Sequence, residues 1–333
     1  MLKNNKYRKI FLIWLFSLII LICSIIVVGG LTRLTDSGLS ITQWELFSGT
    51  LPPLNEKQWN EYFSLYKEIP QFILINSSMN LSEFKYIFWW EYAHRIIARI
   101  IGLLFLLPFL FFIYKKVLLK KNIINLVIIF FLIVTQGTVG WLMVKSGLVD
   151  DVTVDHYRLS VHLTLAFIIL SSIYWFFLNC IFNVKKTIFS LSESILFKTL
   201  LILILIQIVC GALVSGLDAA RVYQTWPLMN GYYFPENFSI NFNKPGFVQF
   251  IHRNLAYLIF FLSMYLAFYI YKFSLKKIYK IFYCYLAFIF IQIILGILVL
   301  IYGFNFYFAS AHQVSSIFLV LSTLTMIHMS LKS

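Results

Sequence analysis

Acidic side chains are scarce in this sequence: 13 Asp and Glu stand against 27 Lys and Arg, and charged residues together make up 12% of the 333-residue chain. A soluble globular protein carries about twice that share of charge. Cysteine is scarce too. Cys23, Cys180, Cys210 and Cys284 all lie in apolar runs without CxxC spacing, which speaks against a disulfide framework and against a zinc site. A basic stripe is also missing. The net charge of +14 is scattered between apolar segments, so it does not mark a nucleic-acid partner. What fills the chain instead is apolar surface, 61% of its residues, more than a soluble domain of this size could bury.

Eight apolar runs are long enough to cross about 30 Å of hydrocarbon. They span about 9–29, 88–113, 123–144, 158–182, 195–216, 247–271, 279–301 and 308–329. The first follows Lys3, Lys6, Arg8 and Lys9 and resembles a signal peptide, but it has no small-residue cleavage site and reads as a retained helix. The connections sort by charge. The N-terminus, Lys115, Lys116, Lys120, Lys121, Lys185, Lys186, Lys198, Lys272, Lys276, Lys277, Lys280 and Lys332 place 16 basic residues on one side, opposed there only by Glu193. By the positive-inside rule that side is cytoplasmic and both termini lie there. The opposite side holds two long loops, about 30–87 and 217–246, with Asp36, Glu45, Glu56, Glu61, Glu68, Glu83, Asp218 and Glu236 and with Trp44, Trp59, Trp89, Trp90 and Trp226.

The two halves repeat. At an offset of 182 residues, Gly29, Leu31, Asp36, Trp44, Leu46, Gly49 and Pro53 match Gly211, Leu213, Asp218, Trp226, Leu228, Gly231 and Pro235. The offset then falls to 158 for His94-Arg95 and His252-Arg253, to 156 for Gln136, Gly140 and Gly147 against Gln292, Gly296 and Gly303, and to 150 for Ser160 and His162 against Ser310 and His312. Both halves begin on the cytoplasmic side with four helices each, so the repeats are parallel. The expected fold is an all-α polytopic membrane protein: two pseudo-repeated four-helix bundles, residues 1–184 and 185–333.

His94, His162, His252 and His312 fall about five to seven residues into the second, fourth, sixth and eighth spans, all of which enter from the outer side. All four thus lie within about 10 Å of the outer boundary. Polar residues at that depth are costly and usually functional, although a single one often only bonds a neighbouring helix. Four at matched depth, two per bundle, suit pairs of axial ligands to a six-coordinate haem. Zinc fits less well because no carboxylate or thiolate completes a four-ligand set in the second half, and the acidic residues stop near the surface, short of a proton relay. Arg95 and Arg253 each follow a proposed ligand and are candidates to pair with a haem propionate, or to snorkel to water. The repeat breaks at one place. Glu91 precedes His94 by three residues, where Gln249 precedes His252. The first bundle thus carries an ionisable group beside its site, which points to chemistry there and to a permanent haem in the second bundle; the alternative is that Glu91 only pairs with Arg95.

Arg33 and Arg158 at outer helix ends are unrepeated and open between propionate contact and snorkelling. His156 reads as a solvated loop residue, and His328 lies sixteen residues from His312, about 24 Å along a helix, too far to share its haem. Gly29, Gly137, Gly140, Gly211 and Gly296 are expected to allow close helix approach or room for a macrocycle, and Gln136 and Gln292 to hydrogen-bond between helices.

Several segments resemble the haem A synthase family in its alphaproteobacterial and mitochondrial branch. They are Gly29-Gly30-Leu31-Thr32-Arg33-Leu34-Thr35 with Ser37-Gly38-Leu39-Ser40 and Trp44, Glu91-Tyr92-Ala93-His94-Arg95, Gln136-Gly137 through Leu148, Tyr157-Arg158-Leu159 through His162-Leu163, Gly211 through Met229, Gln249-Phe250-His252-Arg253 and Ala311-His312-Gln313. The resemblance runs from about residue 10 to the C-terminus. It implies an oxidoreductase of the bacterial inner membrane that turns the C8 methyl of haem O into a formyl group by successive hydroxylations, supplying haem A to cytochrome oxidase. It implies haem b between His252 and His312, the substrate haem near His94 and His162, and Glu91 at the family's essential acidic position. The cysteine pair of the Gram-positive branch is absent. Expected partners are haem O, haem O synthase, cytochrome oxidase assembly factors, membrane lipid, an electron donor the sequence does not identify, and a second copy of the chain. The rival reading is a di-haem, cytochrome b-like electron-transfer protein, and a transporter with parallel repeats ranks last because the histidines are off-centre.

Overall fold

The computed structural model describes residues 5–43, 48–149, 151–182 and 191–330. Lys3, Trp44, Glu45, Leu46, Lys185, Lys186 and Lys332, and the side chain of Glu193, lie outside the described residues. The described chain is nearly all helix; its β structure is one isolated bridge, Met229 to Tyr232.

Eight helices are long and apolar enough to cross a membrane, making this a multi-pass membrane protein. They are α1 (Arg8–Leu34), α4 (Leu81–Tyr114), α5 (Lys120–Gly147), α6 (His156–Ile181), α7 (Leu191–Gly216), α8 (Pro245–Lys272), α9 (Tyr279–Ile301) and α10 (Phe306–Ser330). All eight expected spans are present. The largest difference is at α4, which begins seven residues before the expected 88. A capping box explains this start: Asn80 accepts from the Ser82 and Glu83 amides, and Glu83 accepts from the Asn80 amide. His94 consequently lies 13 residues beyond Leu81, whereas His162, His252 and His312 lie 6 or 7 beyond their helix starts.

The segment 30–87, expected as a loop, contains two further helices, α2 (Glu56–Tyr66) and α3 (Pro70–Leu74). Asn55 caps α2 by accepting from the Gln58 amide at 2.9 Å. Trp59, Phe63 and Tyr66 share one face at helical spacing and are buried against Phe84, Ile87 and Phe88 on the extra turns of α4. A helix this short is marginal alone, so that packing is what holds it.

The long helices form two rings. In the first, α1, α4, α5 and α6 each touch the next, and α6 returns to α1; in the second, α7, α8, α9 and α10 do the same. The rings meet through α6 on α7 and α10 and through α1 on α10. Burial follows: 61% of the apolar stretch of α10 is covered, against 11% for α5, so α10 lies inside and α5 faces outward. Polar side chains join the rings, as they do where lipid offers no hydrophobic drive between helices. Ser160 Oγ donates to the Val209 carbonyl at 3.0 Å, and the Tyr174 and Thr325 hydroxyls meet at 2.6 Å. Gln313 Nε2 donates to the Ile26 carbonyl at 2.8 Å, its side chain lying against Gly30 so closely that a Cβ there would sit 1.6 Å from Oε1.

Candidate functional site

Each of the four histidines on the even-numbered spans rests against a glycine of the preceding span. A Cβ built on Gly29 would lie 3.1 Å from His94 Nε2; on Gly140, 2.9 Å from His162 Cε1; on Gly211 and Gly296, 3.1 Å from Cε1 of His252 and His312. A Cβ at Gly140 would force the imidazole to shift, and at the other three the ring would have to give by a few tenths of an ångström. This gives four of the five expected glycines their role, while Gly137 faces open space.

The histidines pair within rings. The His94 and His162 ring centres are 6.3 Å apart, and those of His252 and His312 are 6.5 Å apart. A metal held between two imidazoles by bonds of about 2 Å would set the ring centres about 6 Å apart. Among the described residues no group of three or more His, Cys, Asp or Glu could hold a bare ion, so further ligands would have to come from a macrocycle. Nδ1 of His162, of His252 and of His312 is buried without a hydrogen-bond partner, the mark of imidazoles shaped for something else. The residues therefore fit a haem at each pair.

Glutamines on the odd-numbered spans reach the same rings. Gln136 Nε2 donates to the His162 carbonyl at 3.1 Å and lies 3.3 Å from its Nε2. Gln292 Nε2 lies 3.3 Å from His312 Nε2, and the Ser315 hydroxyl donates to Gln292 Oε1. Both were expected to bond between helices. Gln207 was not: it donates to the His252 carbonyl at 3.0 Å and lies 3.5 Å from His252 Nε2. Its signal in the sequence was its place four residues before Gly211, the same interval as Gln136 to Gly140 and Gln292 to Gly296.

Glu91 is buried, 3% exposed, one turn before His94. Its Oε2 accepts from Ser40 Oγ at 2.7 Å and from the Ile41 amide at 2.8 Å. Its Oε1 accepts from Arg95 Nε at 3.0 Å and Nη2 at 2.6 Å. Arg95 also donates to the Ile41 and Gln43 carbonyls at 2.9 and 3.4 Å. The carboxylate and guanidinium together pin the first outer loop to α4. The second half builds the same clamp with a neutral amide. Gln249 Nε2 donates to the Tyr223 carbonyl at 3.0 Å, and Arg253 donates to the carbonyls of Tyr223 at 2.8 Å and Thr225 at 2.9 Å. Tyr223 and Thr225 stand 182 residues after Ile41 and Gln43, so the two arginines grip loop carbonyls at the same sequence offset. Four donors converge on this one buried carboxylate, where the second clamp holds a neutral amide.

The remaining candidates sit elsewhere. Arg33 bonds Asp36 at 2.9 Å and the Ser215 carbonyl at 2.8 Å, tying α1 to α7. Arg158 donates to the Leu142 carbonyl at 3.1 Å. His156, expected as a loop residue, instead opens α6, where its backbone packs on Gly216 and its Nε2 meets Asn243 Oδ1 at 3.2 Å. His328 is fully buried at the far end of α10, 3.0 Å from Asn179 Oδ1.

Comparison with known proteins places this arrangement. The profile of the COX15-CtaA family, described as cytochrome oxidase assembly protein, matches residues 12–324. A haem A synthase of Pelagibacter ubique is 49% identical over 96% of this chain and 94% of its own length. The haem A synthase of Flavobacterium psychrophilum is 40% identical over 98% of this chain and 99% of its own, and that of the Wolbachia of Brugia malayi 40% over 95% of each. Sharing that profile over nearly its whole length, the chain belongs to the COX15-CtaA family of cytochrome oxidase assembly proteins.

Proposed function

We propose that this protein is a haem A synthase, an oxidoreductase that converts the C8 methyl of haem O to a formyl group. The observation that carries the reading is an asymmetry between two histidine pairs of matched spacing: among the described residues only the His94–His162 pair has a buried carboxylate, Glu91, one turn from a ligand. Relatives that match over nearly the whole chain and bear the name haem A synthase support it.

In this reading residues 1–184 hold the substrate haem between His94 and His162, and residues 185–333 hold a resident haem b between His252 and His312. The resident haem supplies one-electron chemistry when bound. Two hydroxylations, each a two-electron oxidation that needs an external oxidant and an oxygen atom from water or dioxygen, would take the methyl to a gem-diol, which loses water to give the aldehyde. Side chains cannot supply the oxidising power, but they can place charge. Glu91, held by Arg95, Ser40 and the Ile41 amide, presents its carboxylate one turn from His94. It would stabilise positive charge developing on the methyl carbon as electrons leave it. Arg95 and Arg253, each next in the chain to a proposed ligand, anchor the outer loops over the two sites. The lysine bias supports an orientation with both termini on the cytoplasmic side of the inner membrane and the sites toward its outer leaflet.

The test is to purify the protein, extract its haems, and separate and weigh them. Haem b together with haem O or haem A is the expected result. Two equivalents of haem b alone would make it a di-haem electron-transfer protein, and no haem would overturn the reading altogether.

A further inference from the structure

Residues i and i+4 share a helix face, so the glutamines four before Gly140, Gly211 and Gly296 stand one turn from the histidines those glycines receive. Gln136, Gln207 and Gln292 bring their amide nitrogens to 3.3, 3.5 and 3.3 Å from the ring Nε2 of His162, His252 and His312. The fourth position breaks the pattern: four before Gly29 stands Ile25. Among the described residues His94 touches Gly29 and His162 and has no amide partner.

Two sets of buried atoms stand unpaired around these contacts. Oε1 of Gln136 and of Gln207 is buried without a partner, as is Nδ1 of all three anchored histidines. The N–H that Gln136 and Gln207 give to the histidine's own carbonyl fixes the helix turn that carries the ligand, whichever ring nitrogen the metal takes. Such outer partners fix the orientation and basicity of a ligand, and losing one typically costs about 10- to 100-fold in metal affinity.

We propose that Gln136, Gln207 and Gln292 are positioning residues that fix three of the four haem-ligating histidines, and that Ile25 leaves His94 as the one releasable ligand. The inference rests on the haem sites proposed above. It gives the two halves different exchange behaviour: the second is anchored on both sides, as a resident cofactor needs, and the first on one side only, as a substrate that must enter and leave needs. The free side is the side of Glu91, so release of His94 would open the iron next to the carboxylate.

The experiment is haem transfer from the purified full-length protein to excess apomyoglobin, with the remaining haems identified by mass and their spin state followed by absorption and electron paramagnetic resonance. In the unsubstituted protein haem O should leave at least tenfold faster than haem b. Ile25→Gln should slow haem O loss at least threefold and raise its low-spin fraction, with haem b unchanged. Gln207→Ile should speed haem b loss about tenfold, which reads the same claim in the second half should Ile25→Gln fail to fold. Equal release of both haems from the unsubstituted protein, or normal haem b retention in Gln207→Ile, would overturn the inference while leaving the haem sites standing. A protein that binds no haem would remove the sites themselves.

Discussion

Replacing Glu91 by Gln installs in the first half the residue that the second half already carries at Gln249. The structure sets the size of the effect. Each oxygen of Glu91 takes two donors, Arg95 Nε and Nη2 on one side and Ser40 Oγ and the Ile41 amide on the other. A glutamine can keep its oxygen toward Arg95 and turn its NH2 toward Ser40, whose hydroxyl can accept. The Ile41 amide then loses its acceptor, at a cost of about 1–3 kcal/mol for a buried unpaired donor. The bonds to Arg95 fall from charge-assisted to half-ionic, about 1 kcal/mol more. A loss of about 2–4 kcal/mol lowers the unfolding midpoint but leaves the outer loop attached, as the neutral clamp of the second half shows. The chemistry should suffer more. Removing one fixed charge or dipole aimed at developing charge costs about 100- to 1,000-fold in rate. In membranes supplied with haem O, chromatography of extracted haem should show haem A reduced by at least 100-fold while haem O and haem b are still bound. If Glu91→Gln made haem A at the normal rate, the electrostatic role would be wrong and the residue would be a loop clamp only. If instead Ser40→Ala, which keeps the charge and removes one donor, lost as much haem A as Glu91→Gln, loop position would be deciding the rate.

Two further outcomes follow from the glycine contacts. Gly140→Val and Gly296→Val should each push out the facing imidazole, since even a Cβ there lies 2.9 or 3.1 Å from the ring, and extracted haem should show loss of the substrate haem in the first and of haem b in the second. Gly30→Ala should destabilise the junction of the rings by about 1–3 kcal/mol through overpacking against Gln313; Gln313→Ala should recover part of that in the double variant, and thermal unfolding of the four proteins reads the coupling directly.

Much of this protein is written locally. Each membrane span is a run of apolar residues, and each retains its identity whatever it packs against, because in lipid a helix satisfies its own backbone. The spans, the lysine asymmetry and the internal repeat are therefore legible, and the repeat singles out His94, His162, His252 and His312 without any knowledge of contacts. The same solvent hides the rest. Lipid-facing and protein-facing sides are both apolar, so periodicity does not say which side of a helix is buried; what sets the inside α10 apart from the outside α5 is its larger share of Ser and Thr and its lower hydropathy. The segment 30–87 reads as a loop because α2 and α3 are too short to stand alone and form only against α4.

The sequence alone thus determined eight helices, four histidines at corresponding places, and one acid where the repeat has an amide. Only the tertiary structure decided which glycine receives which imidazole, that Glu91 is held by Ser40, Ile41 and Arg95, that Arg253 grips loop carbonyls, and that Gln207 belongs with Gln136 and Gln292. Those facts join residues 16 to 65 positions apart on different elements, from Gly296–His312 to Gly29–His94, apart from the short step from Glu91 to Arg95, and a pattern along one helix carries no information about its neighbour. That physical gap is why Ile25, an unremarked member of an apolar run, acquires meaning only beside the three glutamines that its counterparts place against a histidine.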